Sequence, residues 1–323
     1  MNEKLLTISD LKVYYYIEAE VIKAVDGVSF WVDEGKITGL VGESGCGKTT
    51  LALSILKLTP HPGRIIGGKI IYKGENLLEK EETELRKIRG SEISIIFQNP
   101  LTSLNPVYTI GDQVAETIMS HQSVGKEEAM EKAVEVLNLV GLPDPAEMRY
   151  KYPHELSGGM RQRVMISIAI SCAPSLLIAD EPTSFLDVTI QAQILRLLKF
   201  LNEKKGASTL LVTHNLGLVA EICDKVAVMY AGNVMEYGDV LPIFEDPKHP
   251  YTIGLIGAIP KIGGSSFIFK TIPGEVPSLS NPPRGCVFHP RCSAALGICK
   301  REKPSPIEET PGHVVYCHLF KEG

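Results

Sequence analysis

The stretch GESGCGKTT, residues 42–50, decides the fold. Its first eight residues fit the pattern G-x-x-x-x-G-K-[ST] without a mismatch. KITGLV (36–41) precedes it with the apolar character of a buried strand, and TLALSILKL (50–58) follows with helical periodicity. A glycine turn between a strand and a helix is a cradle for phosphate. Gly42, Gly45 and Gly47 let successive backbone N–H groups point inward at anionic oxygens. Ser44, Cys46 and Thr50 complete the phosphate-binding set. Lys48 adds a point charge, and the Thr49 hydroxyl is placed for Mg²⁺. A helix dipole alone contributes about 0.3–1 kcal/mol at an exposed site, so lysine and metal are both needed to hold a triphosphate.

Outward from the loop, strands and helices alternate. LKVYYYI and GVSFWV precede it as β-rich runs, and RIIGGKIIYKGENL (64–77) has the form of a hairpin around its glycines. SEISIIFQ (91–98) is a strand, GKEEAMEKAVEVLNLVGL (125–142) a charged amphipathic helix closing on glycine, and SLLIADEP (175–182) a buried strand. TIQAQILRLLKFLNEKKG (189–206) and STLLVTHN (208–215) then give a helix and another strand. Apolar strands without alternation, separated by helices, predict an α/β fold with a mainly parallel sheet. After about residue 240 proline and glycine become dense, four cysteines appear and periodicity fades. A second, smaller domain is expected there.

The chain has 323 residues, 44% hydrophobic and 22% charged, enough for one or two domains with a substantial core. A net charge of −5 gives no electrostatic footprint for nucleic acid. The N-terminal MNEKLLTISDLK lacks the apolar core of a signal peptide. The uncharged run 164–179, VMISIAISCAPSLLIA, is interrupted by Pro174 and falls short of the ~20 residues of a membrane span, so it reads as a buried helix followed by a buried strand. A soluble, cytosolic chain is expected. Seven cysteines, an odd number without an export signal, point to thiols or a metal site rather than disulfides.

The Mg²⁺ partner of a phosphate loop should be an acid ending an apolar strand, and LLIADE supplies Asp180. Glu181 follows, and strand alternation sends the two carboxylates to opposite faces. Asp180 is therefore assigned to the metal, and Glu181 to the attacking water as general base or positioning group. His214 ends LLVTH at the rim where α/β sheets bind ligands and is assigned to the γ-phosphate. Gln98 ends ISIIF in the same way. LSGGMRQR (156–163) places Ser157, Gly158 and Gly159 ahead of an apolar helix, making a second helix start suited to an anion.

In this order the pieces resemble the nucleotide-binding subunits of ABC transporters over roughly residues 5–240. GESGCGKTT looks like the Walker A loop, Gln98 like the Q-loop glutamine, and LSGGM (156–160) like the signature motif, with Met160 where many members have glutamine. Asp180 and Glu181 match Walker B and the catalytic glutamate. SFLD (184–187) matches the D-loop, with Phe185 where a small residue is commoner, and His214 the switch histidine. The resemblance implies a P-loop ATPase core, residues 1–240, with an antiparallel β subdomain and a helical subdomain at about 99–163 that grips a permease. It implies ATP and Mg²⁺ as cofactors, with Thr49, Gln98 and Asp180 around the metal. Tyr15 aligns best with the aromatic that stacks on adenine, and Tyr14 and Tyr16 are close rivals. Ser157, Gly158 and Gly159 would cover the γ-phosphate held by a partner subunit, so that ATP joins two such subunits and hydrolysis releases them.

QNPLTSLNPVYTIGDQ (98–113) and HPYTIGLIGAIP (249–260) are similar to the oligopeptide/dipeptide importer branch, whose members also carry oligosaccharides or nickel. The implied partners are a second, related ATPase subunit, two transmembrane permease subunits and an extracytoplasmic binding protein, at the cytoplasmic face of the cell membrane. Rival readings are a soluble ABC ATPase of DNA repair or translation, or a non-catalytic regulatory module. The tail, 241–323, carries Cys286, Cys292, Cys299 and Cys317, spaced too widely for the usual zinc or ferredoxin runs. The resemblance implies a [4Fe–4S] cluster there. Zinc, with His289, His313 or His318 replacing a ligand, and unligated thiols remain the alternatives. Cys46, Cys172 and Cys223 read as packing residues.

Overall fold

The computed structural model describes residues 3–184, 186–259 and 271–320. The first half of the chain forms β1 (Lys4–Ile17), β2 (Glu20–Asp33), β3 (Ile37–Val41), α1 (Lys48–Ile55), β4 (Gly63–Tyr72), β5 (Glu75–Asn76), α2 (Glu82–Ile88), β6 (Ile93–Ile96), α3 (Pro100–Ser103), α4 (Ile110–His121), α5 (Lys126–Leu139) and α6 (Pro145–Met148). The second half forms α7 (Gly158–Ile170), β7 (Leu176–Asp180), α8 (Val188–Lys205), β8 (Ser208–Thr213), α9 (Leu216–Ile222), β9 (Lys225–Tyr230), β10 (Asn233–Asp239), α10 (Val240–Glu245), α11 (Pro250–Gly257), β11 (Ile307–Thr310) and β12 (His313–Val315). The described residues divide into two compact units, one within Lys4–Asp33, Ile37–Leu78 and Val212–Gly323, the other within Met1–Glu3, Glu34–Lys36 and Glu79–Leu211.

The first unit holds the phosphate loop. Its antiparallel sheet runs β2-β1-β4-β5. In β1 the buried side chains alternate as Leu6 and Ile8; a left-handed Asp10 and a register shift then insert a residue, so Leu11 and Val13 are buried in their turn. β4 continues through Gly67 and Gly68, where Gly68 takes φ 95° and the pairing with β1 shifts register, and the chain reverses at Lys73–Gly74 before β5. The hairpin expected at 64–77 exists, but its turn lies at the second glycine site, because a left-handed Lys73 and Gly74 supply the reversal. A second group of strands is ordered β11-β12-β10-β9-β3. β3 and β9 pair in parallel, Leu40 opposite Ala227, whereas β10 and β12 continue antiparallel.

The tail is not packed as a separate domain. Cys286, Val287, Phe288 and Cys299 share one core with Val41, Val228 and Tyr230. Ring centroids of Tyr230, Tyr251 and Phe288 stand 4.6 to 5.3 Å apart, contacts worth about 0.5–1.5 kcal/mol per pair beyond burial. The physical reason is the edge of β10, which β12 completes by pairing Glu236 with Val315. The boundary expected near residue 240 therefore falls inside a compact unit rather than between two.

In the second unit β6 and β7 pair in parallel and β8 lies next to β7. Every residue of β7 is buried, as its unbroken apolar run predicts. Ile110, Val114 and Ile118 of α4 meet Ala129, Ala133 and Leu137 of α5 in one core with Val164 of α7. Both helices present apolar residues four apart, the spacing of one helix face. Side-chain oxygens of Thr109 and Asp187 cap α4 and α8. Among the described residues, no helix is long and apolar enough to cross a membrane.

Candidate functional site

The phosphate loop lies between β3 and α1, as its sequence requires. A Cβ on Gly42 would stand 2.0 Å from the Met229 carbonyl oxygen, and one on Gly47, at φ 102°, would stand 2.0 Å from that of Ala24. These glycines are demanded by the backbone packed against the loop as well as by access to its N–H groups. Lys48 Nζ, in a side chain only 6% exposed, donates to the carbonyl oxygens of Gly42 at 2.9 Å and Glu43 at 3.1 Å. Ser44, Gly45 and Thr49 are exposed. Burial pushes the Cys46 thiol up while Lys48 pulls the other way, so Cys46 is a neutral filler. Tyr15 Oη lies 3.3 Å from Thr50 Oγ1 on α1. Tyr14 donates instead to Asp26 at 2.6 Å, and Tyr16 is exposed with its ring 5.6 Å from the Arg64 guanidinium.

In the second unit, parallel register does what no local pattern could. Ile96 of β6 stands opposite Ala179 of β7, and the same offset brings Gln98 abreast of Glu181. Gln98 Nε2 donates to Glu181 Oε2 at 2.9 Å, and Ser184 Oγ donates to the same oxygen at 2.8 Å. Asp180 is buried at the strand end. Strand alternation does not set the direction of Glu181, because β7 ends at Asp180. A left-handed turn at φ 46° does so instead, a conformation costing a non-glycine residue about 1–2 kcal/mol. Non-glycine strain of this kind gathers at functional positions. His214 follows β8 and is exposed.

Ser157 caps α7, its Oγ accepting the Met160 N–H at 3.3 Å. Ser157 and Gly158 are exposed, and a Cβ on Gly158 would meet nothing within 4 Å. Gly159 differs, since its Cβ would come 3.2 Å from Ile190 Cγ2 on α8. One glycine therefore faces open space and the other serves helix packing. Gln162, 1% exposed, donates to the Pro182 carbonyl at 2.7 Å and ties α7 to the turn after Glu181. Asp187 of the expected D-loop accepts the Ile190 N–H at 2.9 Å. Phe185 and Pro260, named in the sequence motifs, lie outside the described residues.

The four tail cysteines gather without becoming a ligand set. None is in a disulfide. Burial pushes Cys286 up to about 11, helped by Cys299, Cys317 and Cys292, and burial also raises Cys292 and Cys317. Yet among the described residues no group of three or more His, Cys, Asp or Glu is disposed to hold a metal ion. The cysteines as placed do not make a preformed cluster site. The histidines offered as zinc ligands are engaged elsewhere: His313 Nε2 with Glu236 at 2.8 Å, His318 Nε2 with the Glu302 carbonyl and His289 Nδ1 with that of Cys286, both at 2.9 Å. The buried Glu236 carboxylate also accepts the backbone N–H groups of Lys248 and His249.

Sequence reasoning quoted Glu43, Ser184, Gln162 and Tyr251 only inside motifs, without an individual role, and did not reach Arg291. Tyr251 was within reach as part of the HPY triplet, but nothing local showed what it would touch.

Residues 25–184 match the ABC transporter family model, and residues 235–299 match the model described as oligopeptide/dipeptide transporter, C-terminal region. The oligopeptide transport ATP-binding protein AppD of Bacillus subtilis is 48% identical over 98% of this chain and 97% of its own length. The dipeptide transport ATP-binding protein DppD of Escherichia coli is 46% identical over 97% of this chain and 96% of its own. Among solved structures, the dimeric structure of MJ0796, a bacterial ABC transporter cassette, covers 73% of this chain and 98% of its own with TM-score 0.66 and 28% identity. A strand-borne phosphate loop, the Gln98–Glu181 pair and an exposed Ser-Gly-Gly helix start thus meet chain-long similarity, and this chain belongs to the ABC transporter family as an ATP-binding, ATP-hydrolysing subunit of the oligopeptide/dipeptide type.

Proposed function

We propose that this subunit powers import of di- or oligopeptides, paired with a second, related ATPase subunit and seated on two permease subunits at the cytoplasmic face of the membrane, with an extracytoplasmic binding protein delivering cargo. Full-length similarity to peptide transport subunits, tail included, carries the reading. Lys48 and the loop N–H groups bind the phosphates, and Tyr15 stacks on adenine. Thr49, Gln98 and Asp180 offer the hard oxygen donors that suit Mg²⁺, which when bound would neutralise phosphate charge. Glu181 Oε2, restrained by Gln98 and Ser184, orients the attacking water or takes its proton, and His214 contacts the γ-phosphate. Ser157, Gly158 and Gly159 close over the partner's nucleotide, which agrees with the exposure of Ser157 and Gly158.

The test is uptake of labelled peptides, oligosaccharides and nickel into vesicles carrying the complete transporter. ATP-dependent peptide uptake that disappears with Lys48→Ala supports the reading; uptake of another cargo class alone refutes it. Resemblance alone extends this reading to a [4Fe–4S] cluster on the four cysteines, whose thiols would have to draw together from their present placement to hold it. Anaerobically purified protein that is colourless and free of iron would remove that part without touching the rest.

A further inference from the structure

The second position of the phosphate loop, free in the motif, is Glu43. A carboxylate beside a triphosphate cradle opposes the anion it must admit, unless a cation neutralises it. That cation comes from the tail. Arg291 grips Glu43 in a two-pronged bond, Nη1 to Oε2 at 2.8 Å and Nη2 to Oε1 at 3.2 Å, across 248 positions of sequence. The Arg291 side chain is 6% exposed. Its remaining donors are used as well: Nε to the Pro273 carbonyl at 3.1 Å, Nη2 to that of Ile272 at 3.2 Å, and Nη1 to Tyr230 Oη at 3.3 Å. A fork so fully engaged holds its geometry in a way a lysine cannot reproduce. Tyr251, buried in the same unit, accepts the Glu43 backbone N–H through its hydroxyl at 3.1 Å. The Glu43 carbonyl in turn accepts from Lys48 at 3.1 Å. Side chain, N–H and carbonyl of one loop residue thus link the tail to the phosphate lysine.

We propose that Arg291 is a positioning residue for nucleotide binding: it neutralises Glu43 and, with Tyr251, fixes the loop in the shape that receives phosphate. The tail then acts on the ATP site directly, through bonds made within one compact unit. This inference rests on the loop being the nucleotide site and adds a residue that the sequence motif does not contain.

The experiment is a titration of the full chain with MgATP, following affinity in wild type, R291A, E43Q and the double variant, with circular dichroism and thermal unfolding as folding controls. R291A leaves a bare carboxylate at the cradle and should weaken MgATP about tenfold, the size of one charge-assisted bond. E43Q removes the offending charge, so R291A combined with E43Q should recover most of that loss. A merely structural role for Arg291 would give no such recovery. R291A with native affinity, or a double variant as weak as R291A, overturns the proposal. Where R291A fails to fold, R291Q is read in its place by the same two criteria. A wild-type chain that does not bind MgATP would take down the nucleotide reading itself, and this inference with it.

Discussion

Gly158→Ala separates folding from function at the exposed end of α7. A methyl at this position meets nothing within 4 Å, so the chain has no steric reason to resist it. Alanine is favoured over glycine by up to about 1 kcal/mol in a helix interior, and loss of unfolded-state freedom contributes about 0.4–1 kcal/mol in the same direction. At the first helical residue the gain should be the smaller part of this, an unfolding midpoint unchanged or raised by about 2–4 °C at most. Turnover should behave in the opposite way. If the exposed Ser-Gly-Gly start closes on a partner's nucleotide, the methyl blocks close approach of backbone N–H to phosphate. Losing one preorganised donor of that kind costs about 10²–10³ in rate. The assay pairs thermal unfolding of the purified chain with ATP hydrolysis by the assembled transporter. Gly159→Ala is the internal control, because its Cβ at 3.2 Å from Ile190 requires that side chain to give by a few tenths of an ångström, and its unfolding midpoint should fall below that of Gly158→Ala. A G158A protein with native turnover would refute the partner-facing role, and one that unfolds well below wild type would refute the structural reasoning.

Three further outcomes follow from the geometry. Glu181→Gln should slow hydrolysis by about 10²–10⁴ and leave MgATP binding in place; undiminished turnover would remove Glu181 from the chemistry. Ser184→Ala withdraws one of the two donors on Glu181 Oε2 and should cost about tenfold or less in turnover with the same unfolding midpoint, measured by steady-state hydrolysis. Burial lowers the pKa of His249 to about 4, despite nearby Glu236. The folded ring is therefore neutral, while the unfolded chain takes up a proton below about pH 6.5. Stability from this group is complete above that pH and is lost as pH falls toward 4, a drop of about 3 kcal/mol. His249→Asn keeps a cap acceptor for the Tyr251 N–H and should flatten the decline in denaturant midpoint over that window; an unchanged slope would contradict the assignment.

Local spacing alone determined much of this protein. A strand, GESGCGKT and a helix follow from one another, and the apolar runs ending in Gln98, Asp180 and His214 mark the ends of β6, β7 and β8 to within two residues without any knowledge of packing. Periodicity also placed α5 and the buried pair α7 and β7, because a helix face or a buried strand writes its burial directly into the order of residues. What the sequence did not contain was the choice of neighbour. That Gln98 meets Glu181 depends on the register of β6 against β7, and the direction of Glu181 depends on a left-handed turn that its residue type does not announce. Which of the glycines in 64–77 makes the hairpin turn was settled only by the left-handed Lys73 and Gly74. In the tail, the histidines that spacing placed among the thiols are held by Glu236 and backbone carbonyls. Arg291 reaches Glu43 across most of the chain. Such pairings are set by which surfaces can bury together and which buried charges must be neutralised, and those balances exist only once the strands of the tail have closed on β10.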